Sequence, residues 1–150
     1  MAIVRHCLRS SATVSACGRV TIVPMIREVI STGEAPAAIG PYSQAVRASG
    51  ELLFLSGSIP LRPDGTAVEG DIAAQTTQVL ANMEALLRAA GATFENVVKT
   101  TIFLSDMAHF ATVNELYGAK FSGAPPARST VAVKGLPRGF DVEIEAIAVL

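Results

Sequence analysis

Arg128, Glu143 and Glu145 are the side chains whose types and spacing could do chemistry together. They fall in the segment PARSTVAVKGLPRGFDVEIEAIAV, residues 126–149, which holds two strand-like runs around a Lys134–Gly139 turn. In the first run Arg128, Thr130 and Ala132 share one face, and Ser129, Val131 and Val133 the other. In the second, Val142 to Val149, Glu143 and Glu145 share a face, because side chains alternate across a strand. If the two runs pair, a guanidinium and one or two carboxylates converge on a mostly apolar sheet. A fixed guanidinium holds a small carboxylate in a two-pronged grip, and a neighbouring Glu moves a proton. That equipment suits a small 2-oxo, 2-imino or 2-amino acid. On the pattern alone a structural Arg–Glu ion pair, with the second Glu in solvent, is the reading to prefer.

Other candidates are weaker one by one. Tyr42 follows the rigid Gly40–Pro41 step, placed to close a pocket or to fill a core. Gly57, after Ser56 at a strand end, permits close approach to a ligand or marks a bulge. Asn114 lies in a helical stretch, where Asn is a poor helix former and either has a side-chain task or faces solvent. Neither Ser56 nor Ser129 has a nearby His in sequence, which gives little support to a hydrolase triad. No phosphate loop or dinucleotide glycine fingerprint is present.

The elements that must position these residues read β β β α β α β β. Ile26 to Ile30 is a strand. Tyr42 to Ala48 and Leu52 to Ser56 read as a hairpin around Ser49–Glu51. Asp71 caps a helix with Ile72, Thr76, Val79, Leu80, Met83, Leu86, Leu87 and Ala90 inward, Gln75, Gln78, Asn82 and Arg88 outward, and Gly91 as its stop. Val97 to Leu104 is a β-branched strand. Ser105 or Asp106 caps a second helix, with Phe110, Val113, Leu116 and Tyr117 inward and Pro125 and Pro126 as its limit. The order predicts an α+β fold, a mixed sheet with two helices on one face. The second face, still apolar, is expected to be buried in an oligomer.

Composition bounds the rest. A chain of 150 residues, half hydrophobic and 17% charged, builds one folded domain with a core of Val, Ile, Leu and Ala. No apolar run has the length of a membrane span. Cys7 and Cys17 both precede residue 20, so thiol and cysteine–zinc chemistry are excluded from the body. His6 and His109 match no ligand spacing, which argues against a metal. Residues 1–24 carry Arg5, Arg9 and Arg19 and no acid. They resemble a mitochondrial or plastid presequence, with an upstream misassigned start before Met25 or a disordered tail as the alternatives. Twelve basic residues less those three face 13 acids, so residues 25–150 carry −4. That charge argues against a nucleic-acid partner.

Taken together, four stretches resemble one family: AIGPYSQAV at 38–46, FLSGSIP at 54–60, NVVKTTIFLSDMAHFATVNELY at 96–117, and residues 126–149. The body from about Ile26 to Val149 resembles the reactive intermediate deaminases, the YjgF or Rid family. The resemblance implies a chorismate-mutase-like α+β fold and a homotrimer with sites at subunit interfaces. It implies hydrolysis of enamines and imines, such as 2-aminoacrylate, 2-iminopropanoate and 2-iminobutanoate, to 2-oxo acids and ammonia, without a cofactor. On it, Arg128 binds the substrate carboxylate and Glu143 positions the water. Tyr42, Ser56, Gly57 and Asn114 line the site. Thr130 stands where the family often has Cys and keeps its backbone carbonyl for the ligand. Ser58 stands where the family commonly has Gln, a change at the pocket rim. A non-catalytic ligand-binding or chaperone-like trimer, or a translation inhibitor with ribonuclease activity, is the competing reading.

Overall fold

A computed structural model describes residues 25–150; the extension expected at 1–24 lies outside the described residues. The elements are β1 (Ile26–Ile30), β2 (Ala45–Ser49), β3 (Leu52–Ser58), α1 (Ile72–Ala89), β4 (Val97–Leu104), α2 (Phe110–Gly118), β5 (Ala127–Ala132) and β6 (Val142–Val149). The order is the one the sequence predicts, and the fold is α+β.

β3, β6, β4 and β5 form a mixed sheet in that spatial order, with β4 and β5 parallel and the other pairs antiparallel. β4 is central because its pattern suits burial: Thr100, Ile102 and Leu104 are buried while Lys99, Thr101 and Phe103 are half-buried on the far side. The two runs that carry Arg128 and Glu143 therefore do not pair with each other. β4 lies between them, about 10 Å being two strand spacings, a gap that residues 133–141 cross.

The hairpin expected between residues 42–48 and 52–56 is also corrected. β2 pairs with β1, from Ile26↔Ser49 to Ile30↔Ala45, as a separate two-stranded ribbon. The cause lies at Gly50 (φ 144) and Glu51. The Glu51 N–H and C=O both bond Leu150, at 3.2 and 2.8 Å, which ties the turn to the end of β6. A Cβ at position 50 would lie 2.6 Å from the Leu150 oxygen. The ribbon is held elsewhere by Arg27, whose Nε donates to the Val97 oxygen (3.2 Å) and Nη2 to the Ala124 oxygen (2.7 Å).

α1 begins as expected, with Asp71 Oδ1 accepting from the Ala74 N–H at 2.9 Å. Val79, Leu80, Met83 and Leu87 are buried against the sheet, but Leu86 is half exposed. Gln75, expected outward, is buried. Its Nε2 donates to Asp141 Oδ2 and its Oε1 accepts the Asp141 N–H, both at 2.9 Å. An amide satisfied on both ends tolerates burial, and here it pins the residue just before β6. Asp106 caps a short 3₁₀ turn, Met107–His109, that leads into α2, while Ser105 Oγ donates to Asp141 Oδ1 at 2.6 Å. α2 stops at Gly118, before the prolines, where a Cβ would press Pro41 at 3.2 Å.

The helix-side face of the sheet carries the core: Leu55, Ile102, Leu104, Val142, Ile144 and Ala146 against α1 and α2. The far face leaves Leu52, Phe54 and Val131 exposed, Phe54 at 68%. Among the described residues no helix is long and apolar enough to cross a membrane.

Candidate functional site

Register fixes where each candidate points. Arg128 pairs with Thr100 and Thr130 with Ile102, both buried toward the helices, so Arg128 and Thr130 face the helix side. Glu143 pairs with Phe103 and Glu145 with Thr101, on the open side. Within one chain the guanidinium and the two carboxylates thus lie on opposite faces of the sheet. Among the described residues Arg128 takes part in no ion pair, which removes the structural Arg–Glu pair.

The helix-side group gathers residues from three elements. Arg128 comes from the edge strand β5. Tyr42 comes from the Gly40–Pro41 turn, closed by the Tyr42 N–H to the Gly40 oxygen at 2.8 Å. Asn114 comes from α2, and Thr130 from two residues along β5. The guanidinium carbon lies 5.1 Å from the Tyr117 ring centre, 5.5 Å from Tyr42 and 5.8 Å from Phe110. A Cβ on Gly40 would come within 3.5 Å of Arg128 Nη2 and 3.6 Å of Asn114 Oδ1, so the loop, the Arg and the Asn meet at one point. Three buried polar atoms there lack a hydrogen-bond partner: Arg128 Nη1, Asn114 Oδ1 and Thr130 Oγ1. Each is a group that folded proteins rarely leave unpaired without a ligand or water to meet it. Burial pulls the Arg128 pKa below its ordinary value, opposed by the Tyr117 and Tyr42 phenols. Burial likewise pushes the Tyr117 phenol up to about 12, against its hydrogen bond with Thr100.

The open-side group is Ser56, Gly57 and Glu143. A Cβ on Gly57 would sit 1.8 Å from Glu143 Oε1, so only glycine leaves room for that carboxylate. The β3–β6 register slips between Leu55 and Ser58, which sets Gly57 beside Glu143. A shallow cavity of ≈ 280 Å³ continues along this face past Ser56, Lys99, Thr101 and Glu145. Ser58, expected at a pocket rim, is buried opposite Ile144.

The sequence candidates thus divide, with Tyr42, Asn114, Arg128 and Thr130 on one face and Ser56, Gly57 and Glu143 on the other. Phe110 and Tyr117 were read only as core residues. Their signal was present in the spacing 110, 114, 117, which puts both rings on the same helix face as Asn114. Among the described residues no three His, Cys, Asp or Glu side chains group to hold a metal ion.

Comparison with known proteins turns on residues 32–150, which match the profile of the family described as endoribonuclease L-PSP. The chain belongs to that family. It is 55% identical over 127 residues to Protein DfrA of Myxococcus xanthus, covering 83% of this chain and 97% of that one. It is 52% identical over 126 residues to the mouse protein named 2-iminobutanoate/2-iminopropanoate deaminase, covering 83% and 93%. The solved structure of YyfB, a Rid-family protein from Yersinia pestis, superimposes with a TM-score of 0.77 at 36% identity, over 83% of this chain and 98% of that one. The L-PSP family likeness therefore spans the helix-side and open-side groups alike.

Proposed function

We propose that the protein hydrolyses small 2-imino acids, the enamine and imine forms of 2-aminoacrylate and 2-iminobutanoate, to 2-oxo acids and ammonia. The observation that carries this reading is the half-buried Arg128 guanidinium, whose Nη1 is buried without a partner, grouped with the unpartnered Asn114 Oδ1 and Thr130 Oγ1. A desolvated fork of N–H donors with no internal acid is built to receive a carboxylate. The name of the mouse relative supports the choice of substrate.

The chemistry needs little more. Arg128 fixes the carboxylate. C2 of the protonated imine is already electrophilic. Glu143 accepts a proton as a water oxygen bonds to C2, and the C=N π pair moves to nitrogen. The resulting carbinolamine takes that proton on nitrogen; as the C–N bond breaks and ammonia leaves, the C2 hydroxyl gives its proton back to Glu143, forming the 2-oxo group, and that proton passes on to ammonia as ammonium. The net reaction consumes one water and neither oxidises nor reduces anything, so no cofactor is required. Tyr42 closes the carboxylate side. Ser56 and Gly57 leave space for the water and for Glu143.

Because Arg128 and Glu143 face opposite ways in one chain, the reading includes a second copy. The edge strand β5 of one subunit would meet the open face of the next, in a homotrimer with one site per junction. The exposed Leu52, Phe54 and Val131 support burial of that face. Residues 25–150 form the single working domain. Residues 1–24 act as an organelle presequence, a role supported by their three Arg and lack of acids.

The direct test couples a pyridoxal-phosphate lyase that releases 2-aminoacrylate to pyruvate detection. Micromolar protein should speed pyruvate release severalfold. An unchanged rate would overturn the deaminase reading.

A further inference from the structure

We propose that Phe110 and Tyr117 are positioning residues that, with Tyr42, set the affinity for the substrate carboxylate by holding the plane of the Arg128 guanidinium between aromatic faces. The inference rests on the carboxylate-binding role proposed for Arg128 and extends it to two residues so far counted as core.

A buried Arg is ordinarily held by a carboxylate that takes its in-plane N–H groups. Such a partner would occupy the very donors a substrate needs. Here three rings stand 5.1, 5.5 and 5.8 Å from the guanidinium carbon, and Nη1 is buried without a partner. Ring faces attract the cation over its plane and use none of its N–H donors. The fork is therefore held yet unspent.

The rings themselves are fixed. The Tyr117 hydroxyl and Thr100 Oγ1 lie 2.7 Å apart in the core, and Thr100 is the strand partner of Arg128. Tyr117 also packs on Phe121, ring centres 4.9 Å apart. Phe110 is the first residue of α2, so that one helix face, 110–114–117, carries two walls of the cage and Asn114 between them.

A carboxylate held equally in ground and transition state moves KM and leaves kcat alone. Tyr117→Leu should thus weaken binding of 2-oxobutanoate, measured by calorimetry on the full chain, by roughly tenfold. It should raise KM for 2-iminobutanoate to match, with kcat within about twofold. Tyr117→Phe, which keeps the ring, should return affinity to within about threefold of wild type. Thr100→Val breaks the same core hydrogen bond and should lower Tm while moving Kd far less than Tyr117→Leu does. If Tyr117→Leu does not fold, the half-buried Phe110→Leu carries the test with the same expected rise in Kd.

Leu variants that bind as wild type would overturn the cage, as would a Thr100→Val variant as weak as Tyr117→Leu. A wild type that binds 2-oxobutanoate in a ring-dependent way yet releases no ammonia from 2-iminobutanoate would support the cage and overturn the deaminase alone.

Discussion

The two faces of the sheet hold polar groups in opposite ways. On the helix side, Arg128, Asn114 and Thr130 are half-buried, each with one buried polar atom unmet, among Tyr42, Phe110 and Tyr117. On the open side, Glu143 and Glu145 stand on a sheet whose Phe54 and Val131 reach solvent. The Arg128 group has aromatic walls and unmet donors but no carboxylate of its own. The other has the acid or base but no wall. The contrast teaches that the alternation of strand side chains puts Arg128 and Glu143 on opposite faces, so that on the proposed deaminase reading neither group would suffice in a lone chain.

The largest effect that could break this picture is at Arg128. Arg128→Lys should be nearly as damaging as Arg128→Ala, on the order of 2–5 kcal/mol in kcat/KM for 2-iminobutanoate. An ammonium keeps the charge but not the two parallel hydrogen bonds. A Lys variant within about threefold of wild type would reduce the helix-side face to a source of positive field.

Glu143→Gln should slow turnover by roughly 10²-fold while leaving 2-oxobutanoate binding intact, because Gln orients a water but cannot take its proton. Glu145→Gln should lose much less. Equal losses would mean that the wrong carboxylate of the open face has been chosen.

Gly57→Ala sharpens the same face. Its Cβ would displace the Glu143 carboxylate, 1.8 Å away, and the expected loss approaches but does not exceed that of Glu143→Gln, up to about 10²-fold in kcat. A variant as fast as wild type would separate Glu143 from the chemistry. The smallest expected effect is none: a chain beginning at Met25 should keep its fold and activity, and its aggregation would show the extension to be structural.

Much of this was legible in the residues, for reasons that differ by element. α1 announced itself by apolar residues at three- and four-residue steps between Asp71 and Gly91, and β4 by its β-branched run. Strand alternation placed Arg128 with Thr130, and Glu143 with Glu145. Partner choice was not legible. Nothing in the Ser49–Glu51 stretch reports that Glu51 bonds Leu150, so that β2 joins β1 and β3 keeps a free edge. Nor does the turn after β5 report that β4 will separate Arg128 from Glu143. Those are long-range pairings, decided by which strands bury best together. Gln75 shows the limit for single residues: its polarity pointed outward, yet a backbone and a carboxylate at Asp141 meet both ends of its amide. The opposite placement of Arg128 and Glu143 follows from these pairings, and the aromatic walls at Phe110 and Tyr117 were hidden because a ring serves a core and a cation equally well.

Mixing two inactive variants tests the split site most directly. Arg128→Ala and Glu143→Gln chains, each purified alone, would be unfolded together, refolded at equal concentration and assayed on 2-iminobutanoate. If each junction joins Arg128 of one subunit to Glu143 of the next, randomly mixed rings of three should recover about a quarter of wild-type activity, since mixed rings hold one live junction each. Activity no greater than the mean of the two parent variants, from a mixture shown by mass spectrometry to contain mixed trimers, would contradict a site shared between chains.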